Sequence, residues 1–382
     1  MRFSTITKFI VTGVILAVLA TAGWYINQGL FAYPGDSPTG KYKLELKSGD
    51  TIYTLAQKLK NDKVINNADI LPYVSKFTVS PTLKSGVYQL DLPAKPDAIL
   101  WQINNQKPLP SDNTVSVSLI EGDTAEDIAD KLEKASVVKA IDFLSFIQDP
   151  KNFDLSTYPF LPKPQTNCKY GDILKNCPKY YLEGYLFPDT YNFYMGSKPE
   201  IITTKLLRNF NTKFWVKNSS KFDPDPEKSR TDLYNHIILS SVVEREVGRN
   251  YIKAMVNDSD LNEERRQVAA VYINRGTQKM KWQSDPTVWY GVDRKKGVAV
   301  DGDLNWGSAK YKTGYNTYQN LGYPVGPIAN SGAETLESVL NPAQSDYLFF
   351  VSDKTGKMYF GKNLDEHNTN IDKVRQVNKN LP

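Results

Sequence analysis

An uncharged run from Phe9 to Ile26 is the feature that most constrains how this chain can fold. As a helix, the run would be about 27 Å long, close to the roughly 30 Å thickness of the hydrocarbon core of a bilayer. Basic residues precede the run and aromatic residues close it, which is the pattern of a membrane helix whose following chain lies outside the cytoplasm. A cleaved signal peptide is the alternative, because Ala20-Thr21-Ala22 resembles a cleavage site. Both interpretations export the rest of the chain.

Composition excludes several classes of function. A net charge of +5 over 382 residues is too small to indicate nucleic-acid binding. The chain has only two histidines, which excludes a histidine-rich metal site, and it has no glycine-rich nucleotide motif, so we predict no cofactor. Cys168 and Cys177 bracket a short segment of a Pro-rich loop, where they would either form a disulfide in an oxidising compartment or remain two thiols.

A repeated pattern follows the N-terminal run. The stretch LELKSGDTIYTLAQKLKNDKVI at 44–65 aligns with VSLIEGDTAEDIADKLEKASVV at 117–138. Each copy has an alternating strand, a Gly-Asp-Thr turn with a helix-capping signal and an amphipathic helix, and residues 85–92 are predicted to return as a strand. The pattern resembles a LysM module, a small αβ unit whose family binds N-acetylglucosamine polymers. A module that serves only as a spacer or packing surface is the alternative.

The pattern after residue 180 is mainly helical. We predict helices near 199–218, over 235–248 and through the segment that ends at Gly276, then a β-hairpin at 346–361 and a closing helix. This half of the chain is therefore predicted to be α+β with helices dominant.

The stretch SSVVEREVG at 240–248 places two glutamates in an otherwise apolar helical segment. With about 100° per residue, Glu246 falls in the middle of the apolar stripe beside Leu239 and Val242. Glu244 points about 160° away, on the side of two serines, where we expect a solvated or structural charge. The two carboxylates are therefore predicted to have different roles.

A carboxylate on an apolar stripe loses hydration, and this loss raises its pKa. A raised pKa is what a general acid at neutral pH requires, so Glu246 is a candidate acid. A buried ion pair with Arg275 or Arg266 is the alternative explanation of its position.

Two later segments, 273–291 and 315–332, are dense in polar, aromatic and turn residues, as is typical of a preformed ligand cleft. Aromatic rings pack against the C–H faces of sugars, and polar side chains bond to hydroxyl and N-acetyl groups. An aromatic core with structural loops is the alternative. The predicted substrate-binding residues are Gln283, Asp285, Tyr290, Asn316, Thr317 and Tyr318.

The sequence resembles the YceG-like family of endolytic murein transglycosylases. The resemblance runs in family order over nearly the whole chain. It is carried by the N-terminal anchor, the LysM-like region and the motifs EGYLFPDTY (183–191), SSVVEREVG (240–248), VYINR (271–275), QSDPTVWYG (283–291), YNTY (315–318), GPIANSG (326–332), LNP (340–342) and EHN (366–368). It implies cleavage of the β-1,4 bond between N-acetylmuramic acid and N-acetylglucosamine within a glycan strand, which leaves a 1,6-anhydro-N-acetylmuramic acid end.

The resemblance also implies that the catalytic acid is a glutamate of the E-x-E element. We assign it to Glu246, and Glu244 is the alternative if the first glutamate is the match. Expected partners are peptidoglycan glycan strands and the cytoplasmic membrane, and the family implies penicillin-binding synthases. Two other functions compete: a glycoside hydrolase with Asp285 or Glu183 as second carboxylate, and a non-catalytic wall-binding protein.

The predicted fold is α+β, with an N-terminal transmembrane helix, LysM-like αβ modules and a helix-rich catalytic domain. We expect a single-pass protein of the inner membrane with most of the chain outside the cytoplasm. The predicted divisions are a cytoplasmic tail (1–8), a transmembrane helix (9–28), a linker (29–40), a LysM-like module (41–110), a second LysM-like repeat with a Pro-rich connection (111–180) and the transglycosylase catalytic domain (181–382).

Overall fold

The structure is a computed structural model, and it divides the chain into two compact units, residues 1–114 and residues 115–382. Both units mix helices with short two-stranded sheets, which confirms the α+β prediction. The residues it describes are 13–21, 23, 37–47, 49–76, 83–106, 108, 114–166, 168–247, 258–292 and 305–380.

The first unit is built on an antiparallel pair of strands, β1 (Gly40–Leu46) and β2 (Gly86–Leu92), in which Leu44 lies opposite Tyr88. The predicted returning strand at 85–92 is therefore confirmed. Three helices accompany the pair: α1 (Ile52–Asn61), α2 (Ile70–Ser75) and α3 (Pro96–Asn105).

Sequence explains why the first copy of the repeat adopts this fold. Thr51 caps α1 with a reciprocal capping box, which satisfies backbone N–H groups at the helix start. Leu55 and Leu59 face inward from α1 and pack with Leu44 and Leu90 of the strands in one apolar cluster. The strand, the capped helix and the returning strand are thus the ones that the sequence predicts, whereas α2 between them was not predicted. The relation to LysM modules stays a prediction.

The second copy of the repeat belongs to the second unit. Its strand β3 (Thr114–Ser118) pairs with β4 (Thr190–Tyr194), and its helix α4 (Ala125–Lys134) begins with a capping box at Thr124. The apolar side of α4 shares one cluster with residues beyond 180, Tyr185 among them. The division at 114/115 lies close to the predicted boundary at 110/111, whereas the boundary predicted at 180/181 falls inside a compact unit, because β3 finds its partner beyond the Pro-rich connection.

The rest of the second unit is helical with one hairpin. The predicted hairpin at 346–361 is confirmed by the antiparallel pair β5 and β6, and the closing helix follows it. The remaining elements are α5 (Ala140–Gln148), α6 (Pro199–Phe210), which continues as a π-turn to Trp215, α7 (Pro226–Val247), α8 (Asp258–Thr277), α9 (Asp285–Gly291), α10 (Ala333–Leu340), β5 (Phe349–Ser352), β6 (Met358–Gly361) and α11 (Leu364–Lys379).

The predicted membrane helix at 9–28 is described only at residues 13–21 and 23, which are helical, and the rest of that span lies outside the described residues. The described part of the chain contains no helix with the length and apolar character needed to cross a bilayer.

A disulfide joins Cys168 to Cys177, whose Cα atoms are 5.6 Å apart. The loop that it closes supports the segment after residue 313. The N–H of Gly314 donates to the carbonyl of Ile173 at 3.1 Å. The cross-link therefore stabilises a loop on which part of the candidate site rests.

Gly184 offers a test of packing in the EGYLFPDTY motif. Its φ is +87°, and a Cβ atom there would lie 2.5 Å from Ile237 and 2.9 Å from Pro327. We expect Gly184→Ala to lower the free energy of unfolding by about 2–5 kcal/mol, because a left-handed backbone and overpacking act together. Chemical denaturation monitored by fluorescence measures this change.

Gly196 is the matched control, because its φ is +71° and no atom lies within 4 Å of the added Cβ. Gly196→Ala should lower the free energy of unfolding by only about 1–2 kcal/mol, the cost of the backbone conformation alone. Equal losses in the two variants would contradict the packing argument.

Candidate active site

Both glutamates of the SSVVEREVG motif lie in the last turns of α7, and both are removed from bulk water. Glu244 is only 1% exposed, and Glu246 is partly buried. Of the two alternatives predicted for Glu244, a solvated or a structural charge, its burial excludes the solvated one. The reason is that α7 packs against α8, α9 and α10, so the side that the helical wheel assigns to solvent is covered by other elements.

Glu244 has a structural contact. Its Oε2 accepts a hydrogen bond of 3.2 Å from the N–H of Gly332, the residue that precedes α10. One turn earlier, the hydroxyl of Ser241 accepts a 3.0 Å bond from the N–H of Ile328. These two side chains hold the GPIANSG segment against α7.

Glu246 is held by two hydroxyl groups. Its Oε1 accepts hydrogen bonds from the hydroxyl of Ser284 at 2.7 Å and from the hydroxyl of Tyr272 at 2.9 Å. Among the described residues, no donor contacts Oε2. One carboxylate oxygen is thus fixed by the protein, and the other has no hydrogen-bond partner within the described part of the chain.

Burial raises the pKa of Glu246 above the usual range of a glutamate, and the negative charge of Asp285 raises it further. The hydrogen bonds from Ser284 and Tyr272 act in the opposite direction, because they stabilise the ionised carboxylate, and the charge of Arg275 also lowers this pKa. The net effect is a pKa above the ordinary value of a glutamate, which is the direction that proton donation near neutral pH requires.

The two arginines considered as ion-pair partners of Glu246 bond elsewhere. Arg275 donates to the backbone carbonyls of Leu348, at 2.6 Å, and of Trp282. Arg266 donates to the carbonyl of Asn341 at 2.7 Å and to the carboxylate of Glu263 at 3.1 Å. Arg275 therefore fixes the segment that leads into Ser284.

Ser284 is positioned by the segment that contains Thr317. The N–H of Ser284 donates to the hydroxyl of Thr317 at 3.0 Å, and this hydroxyl also bonds to that of Thr287 at 2.9 Å. Thr317 is fully buried, so the structure places it behind Ser284 and not at a surface that a substrate reaches.

Asn316 is also fully buried. Its amide donates to the carbonyls of Trp306 at 2.9 Å and Tyr311 at 2.8 Å, and its oxygen accepts from the N–H of Tyr318 at 2.9 Å. Because these bonds close the loop around it, Asn316 supports the site from within.

Tyr290 bonds to a second buried carboxylate. Its hydroxyl donates to Glu183 at 2.8 Å, and Glu183 also accepts from the N–H of Ala125 at 3.0 Å and from the amide of Asn330 at 2.7 Å. Burial raises the pKa of Glu183 to about 7, against the lowering effect of these donors. Both oxygens of Glu183 are occupied within the protein, so this carboxylate and Tyr290 have a structural arrangement.

Three of the predicted substrate-binding residues surround Ser284 at accessible positions. Gln283 is exposed, and Asp285 and Tyr318 are partly buried. One oxygen of Asp285 accepts from the hydroxyl of Tyr318 at 2.7 Å and from the indole of Trp306 at 3.0 Å. The structure therefore brings these three residues together with Glu246.

The sequence did not single out Tyr272 or Ser284. Tyr272 lies in the apolar run of α8, where a tyrosine is usually core, and Ser284 precedes Asp-Pro, where a serine usually caps a helix. A buried tyrosine hydroxyl needs a hydrogen-bond partner, and this requirement was the only sequence signal that could have identified Tyr272 as a site residue. Within the described ranges, no group of three or more His, Cys, Asp or Glu is arranged to hold a metal ion.

Comparison with known proteins supports a single family. The model of the YceG-like family matches residues 44–373. An endolytic murein transglycosylase of Bacillus subtilis is 28% identical over 333 residues, which are 85% of this chain and 82% of the relative. An endolytic murein transglycosylase of Streptococcus pneumoniae is 24% identical over 99% of this chain and 67% of the relative.

The fold has a counterpart among solved structures. The crystal structure of a YceG-like protein from Listeria monocytogenes has a TM-score of 0.52 and 30% sequence identity, and the match covers 87% of this chain and 99% of that one. With a family model that matches most of its length, the chain belongs to the YceG-like family.

Proposed function

We propose that this protein is an endolytic murein transglycosylase, a lyase that cleaves glycan strands of peptidoglycan. The observation that carries the proposal is the state of Glu246, whose pKa is raised, whose Oε1 is fixed by Ser284 and Tyr272, and whose Oε2 has no partner among the described residues. The names of the relatives from Bacillus subtilis and Streptococcus pneumoniae support the same activity.

A single carboxylate is sufficient for this reaction. Because both hydroxyl donors approach Oε1, we assign the acidic proton of Glu246 to Oε2. Glu246 donates this proton to the glycosidic oxygen as the bond between C1 of N-acetylmuramic acid and that oxygen breaks. The leaving N-acetylglucosamine departs with a free hydroxyl.

The carboxylate then acts as a base. It takes the proton of the C6 hydroxyl of the same muramic acid residue while O6 forms a bond to C1, which gives the 1,6-anhydro end and regenerates the acid. The nucleophile belongs to the substrate, so the step benefits from intramolecularity. The hydroxyls of Ser284 and Tyr272 stabilise the transient negative charge without moving, because they already contact Oε1.

The surrounding polar residues are assigned to substrate contacts. Gln283, Asp285 and Tyr318 lie at accessible positions beside Ser284, where their polar atoms suit hydroxyl and N-acetyl groups. Asn316, Thr317 and Tyr290 act through their contacts in the protein, by holding the loops that carry these groups.

The enzyme is proposed to work outside the cytoplasm, anchored by a single helix over 9–28. The disulfide between Cys168 and Cys177 supports an oxidising compartment. A tethered enzyme would reach glycan close to the membrane and end the elongation of strands that are still near their synthases, penicillin-binding proteins included.

A glycoside hydrolase is the second candidate, because Asp285 supplies a second carboxylate whose charge acts on Glu246. The products separate the two reactions. A transglycosylase leaves an anhydro end, which is lighter than a reducing end by one water molecule. Mass spectrometry of digested glycan strands therefore tests the proposed reaction, and reducing ends alone would establish hydrolysis instead.

We expect Glu246→Gln to lower kcat by on the order of a hundred- to ten-thousand-fold, because an amide neither donates the acidic proton nor takes one back. The release of anhydro-muropeptides from purified glycan strands measures the loss, and an unchanged melting temperature shows that the fold is intact.

Glu244→Gln is the matched control, since the amide oxygen can still accept the N–H of Gly332. It should retain activity. The assignment of the acid would move to Glu244 if this control were inactive while folded and Glu246→Gln were active.

The pH profile tests the environment of the acid. The protonated form of Glu246 begins the reaction, so kcat/KM should fall as pH rises through its pKa. Ser284→Ala removes a bond that stabilises the ionised form, which raises this pKa and should move the alkaline limb to higher pH. Asp285→Asn removes a negative charge, which lowers the pKa and should move the limb to lower pH. Shifts in the same direction, or none, would exclude Glu246 as the titrating acid.

A further inference from the structure

Gln283 has an unusual backbone conformation. Its φ is 53°, in the left-handed region that side chains other than glycine adopt at a cost. The other described non-glycine residues with positive φ each lie within two residues after the end of a helix, where this conformation is common. They are Lys63, Ser136, Asn176 and Lys279. Gln283 instead comes just before the start of α9, so no helix end explains its conformation.

The backbone of Gln283 is held, whereas its side chain is free to bind. The N–H donates to the carbonyl of Thr317 at 3.2 Å, and the residue is exposed. Within the described part of the chain, the amide side chain has no hydrogen-bond partner. A strained, exposed residue with an unused amide beside a catalytic side chain points to a ligand contact.

An exposed aromatic residue contacts Trp282, the residue that precedes Gln283. Tyr323 is 44% exposed, and its ring centroid lies 4.8 Å from that of Trp282. Trp282 is buried and contacts Tyr272 in turn, with centroids 4.9 Å apart. Because the hydroxyl of Tyr272 bonds to Glu246, two ring-to-ring contacts connect Tyr323 to the candidate acid.

Two neighbouring residues restrict the backbone conformation of the turn that carries Tyr323. Gly322 has φ +84°, which favours glycine, and Pro324 is buried and restricts the backbone after the ring. Trp282 covers part of the ring. The rest of the ring is therefore presented to solvent in a fixed position, at little entropic cost to binding.

We propose that Tyr323 and Gln283 form a saccharide-binding subsite of the glycan cleft, next to the sugars that Glu246 acts on. The inference rests on the proposed function and deepens it. The Tyr323 ring packs against the C–H face of a pyranose, and the Gln283 amide bonds to an N-acetyl group. The tripeptide 282–284 connects the subsite to Glu246. Trp282 contacts the Tyr323 ring, Gln283 supplies the amide, and Ser284 bonds to the Glu246 carboxylate.

The chemistry fits an N-acetylated sugar. An N-acetyl group presents one N–H donor and one carbonyl acceptor, and a glutamine amide offers both complementary groups. An aromatic face suits the apolar face of a pyranose ring. Because two ring-to-ring contacts separate Tyr323 from the tyrosine that bonds to Glu246, the subsite takes a sugar beyond the two that flank the scissile bond. A strand that extends past this bond occupies the subsite, whereas the shortest cleavable fragment does not. The subsite thus favours cleavage within long strands.

Binding to intact glycan strands tests the ring. Every variant is made in the full chain with Glu246→Gln, so that strands bind without being cleaved. We expect Tyr323→Ala to weaken binding of long strands by about tenfold, the usual worth of one aromatic contact. Tyr323→Phe keeps the ring and should bind as the parent does. Equal affinity of the Ala and Phe variants, both with unchanged melting temperatures, would overturn the role of the ring.

The amide is tested with a variant that removes it and relieves the backbone at the same time. Gln283→Gly should keep or raise the melting temperature and still weaken strand binding severalfold. Ser136→Gly is the matched control, because Ser136 is exposed, uncharged and left-handed with φ 57°. It should keep or raise the melting temperature without affecting binding. If Gln283→Gly bound strands as tightly as the parent, the amide contact would be wrong.

Activity distinguishes this inference from the proposed function. With Glu246 intact, Tyr323→Ala should raise KM for long strands by about tenfold and leave KM for the shortest cleavable fragment unchanged. If the parent releases anhydro ends and the KM of Tyr323→Ala equals that of the parent for both substrates, the subsite is wrong and the proposed function stands. If the parent releases no anhydro ends, the function fails, and the binding measurements still decide whether the subsite holds glycan.

Discussion

The second unit depends on the hydrogen bonds that buried polar side chains in the last turns of α7 form with other segments. Ser241 and Glu244 bond to the GPIANSG segment, at Ile328 and Gly332. Glu246 bonds to Ser284 in a second segment. A buried polar group without a partner costs on the order of 1–3 kcal/mol, so each contact fixes its segment strongly. The candidate site is therefore organised from one helix outward, and the position of Glu246 and the positions of the loops are set by the same element.

Three glutamates are withdrawn from water in this unit, and their surroundings assign them different roles. Both oxygens of Glu183 are occupied, by donors from three separate segments, and Glu244 binds the start of α10. Glu246 alone of the three combines a raised pKa with an oxygen that no described residue contacts. Glu183 also has a raised pKa, at about 7, so a raised pKa by itself does not identify a catalytic acid. Glu246 differs from Glu183 in having one carboxylate oxygen that no described residue contacts.

Periodicity predicted much of the fold. Alternation and capping signals located β1, α1, α4 and the C-terminal hairpin, because these features depend on neighbours in the sequence. The partner of β3 could not be predicted, since a strand pairs by complementary edges and the sequence does not record which edge is near. For this reason the sequence alone did not indicate that 115–180 and the residues after 180 belong to one compact unit.

The candidate site was predictable in part. The helical wheel places Glu246 and Glu244 on different sides of α7, and in the structure they contact different segments. The wheel also assumes that a polar side faces solvent, whereas other helices cover α7 on that side. Residue type indicates that Asn316 and Thr317 form hydrogen bonds, but not whether the partner is a ligand or the protein, and both proved to be buried supports. Tyr272 and Ser284 resemble a core tyrosine and a helix cap, so only the three-dimensional contacts reveal them.

The pairing of β3 with β4 has a consequence for dividing the polypeptide. A fragment that started at 181 would keep every motif around Glu246, and yet it would leave Thr190–Tyr194 with an open edge. It would also lose α4 and α5, whose apolar side chains complete the interior around Tyr185 and Phe193. Unpaired edges and uncovered apolar faces promote self-association. A fragment intended to fold without the first unit should therefore start ahead of Thr114, so that it keeps β3 and the second copy of the repeat.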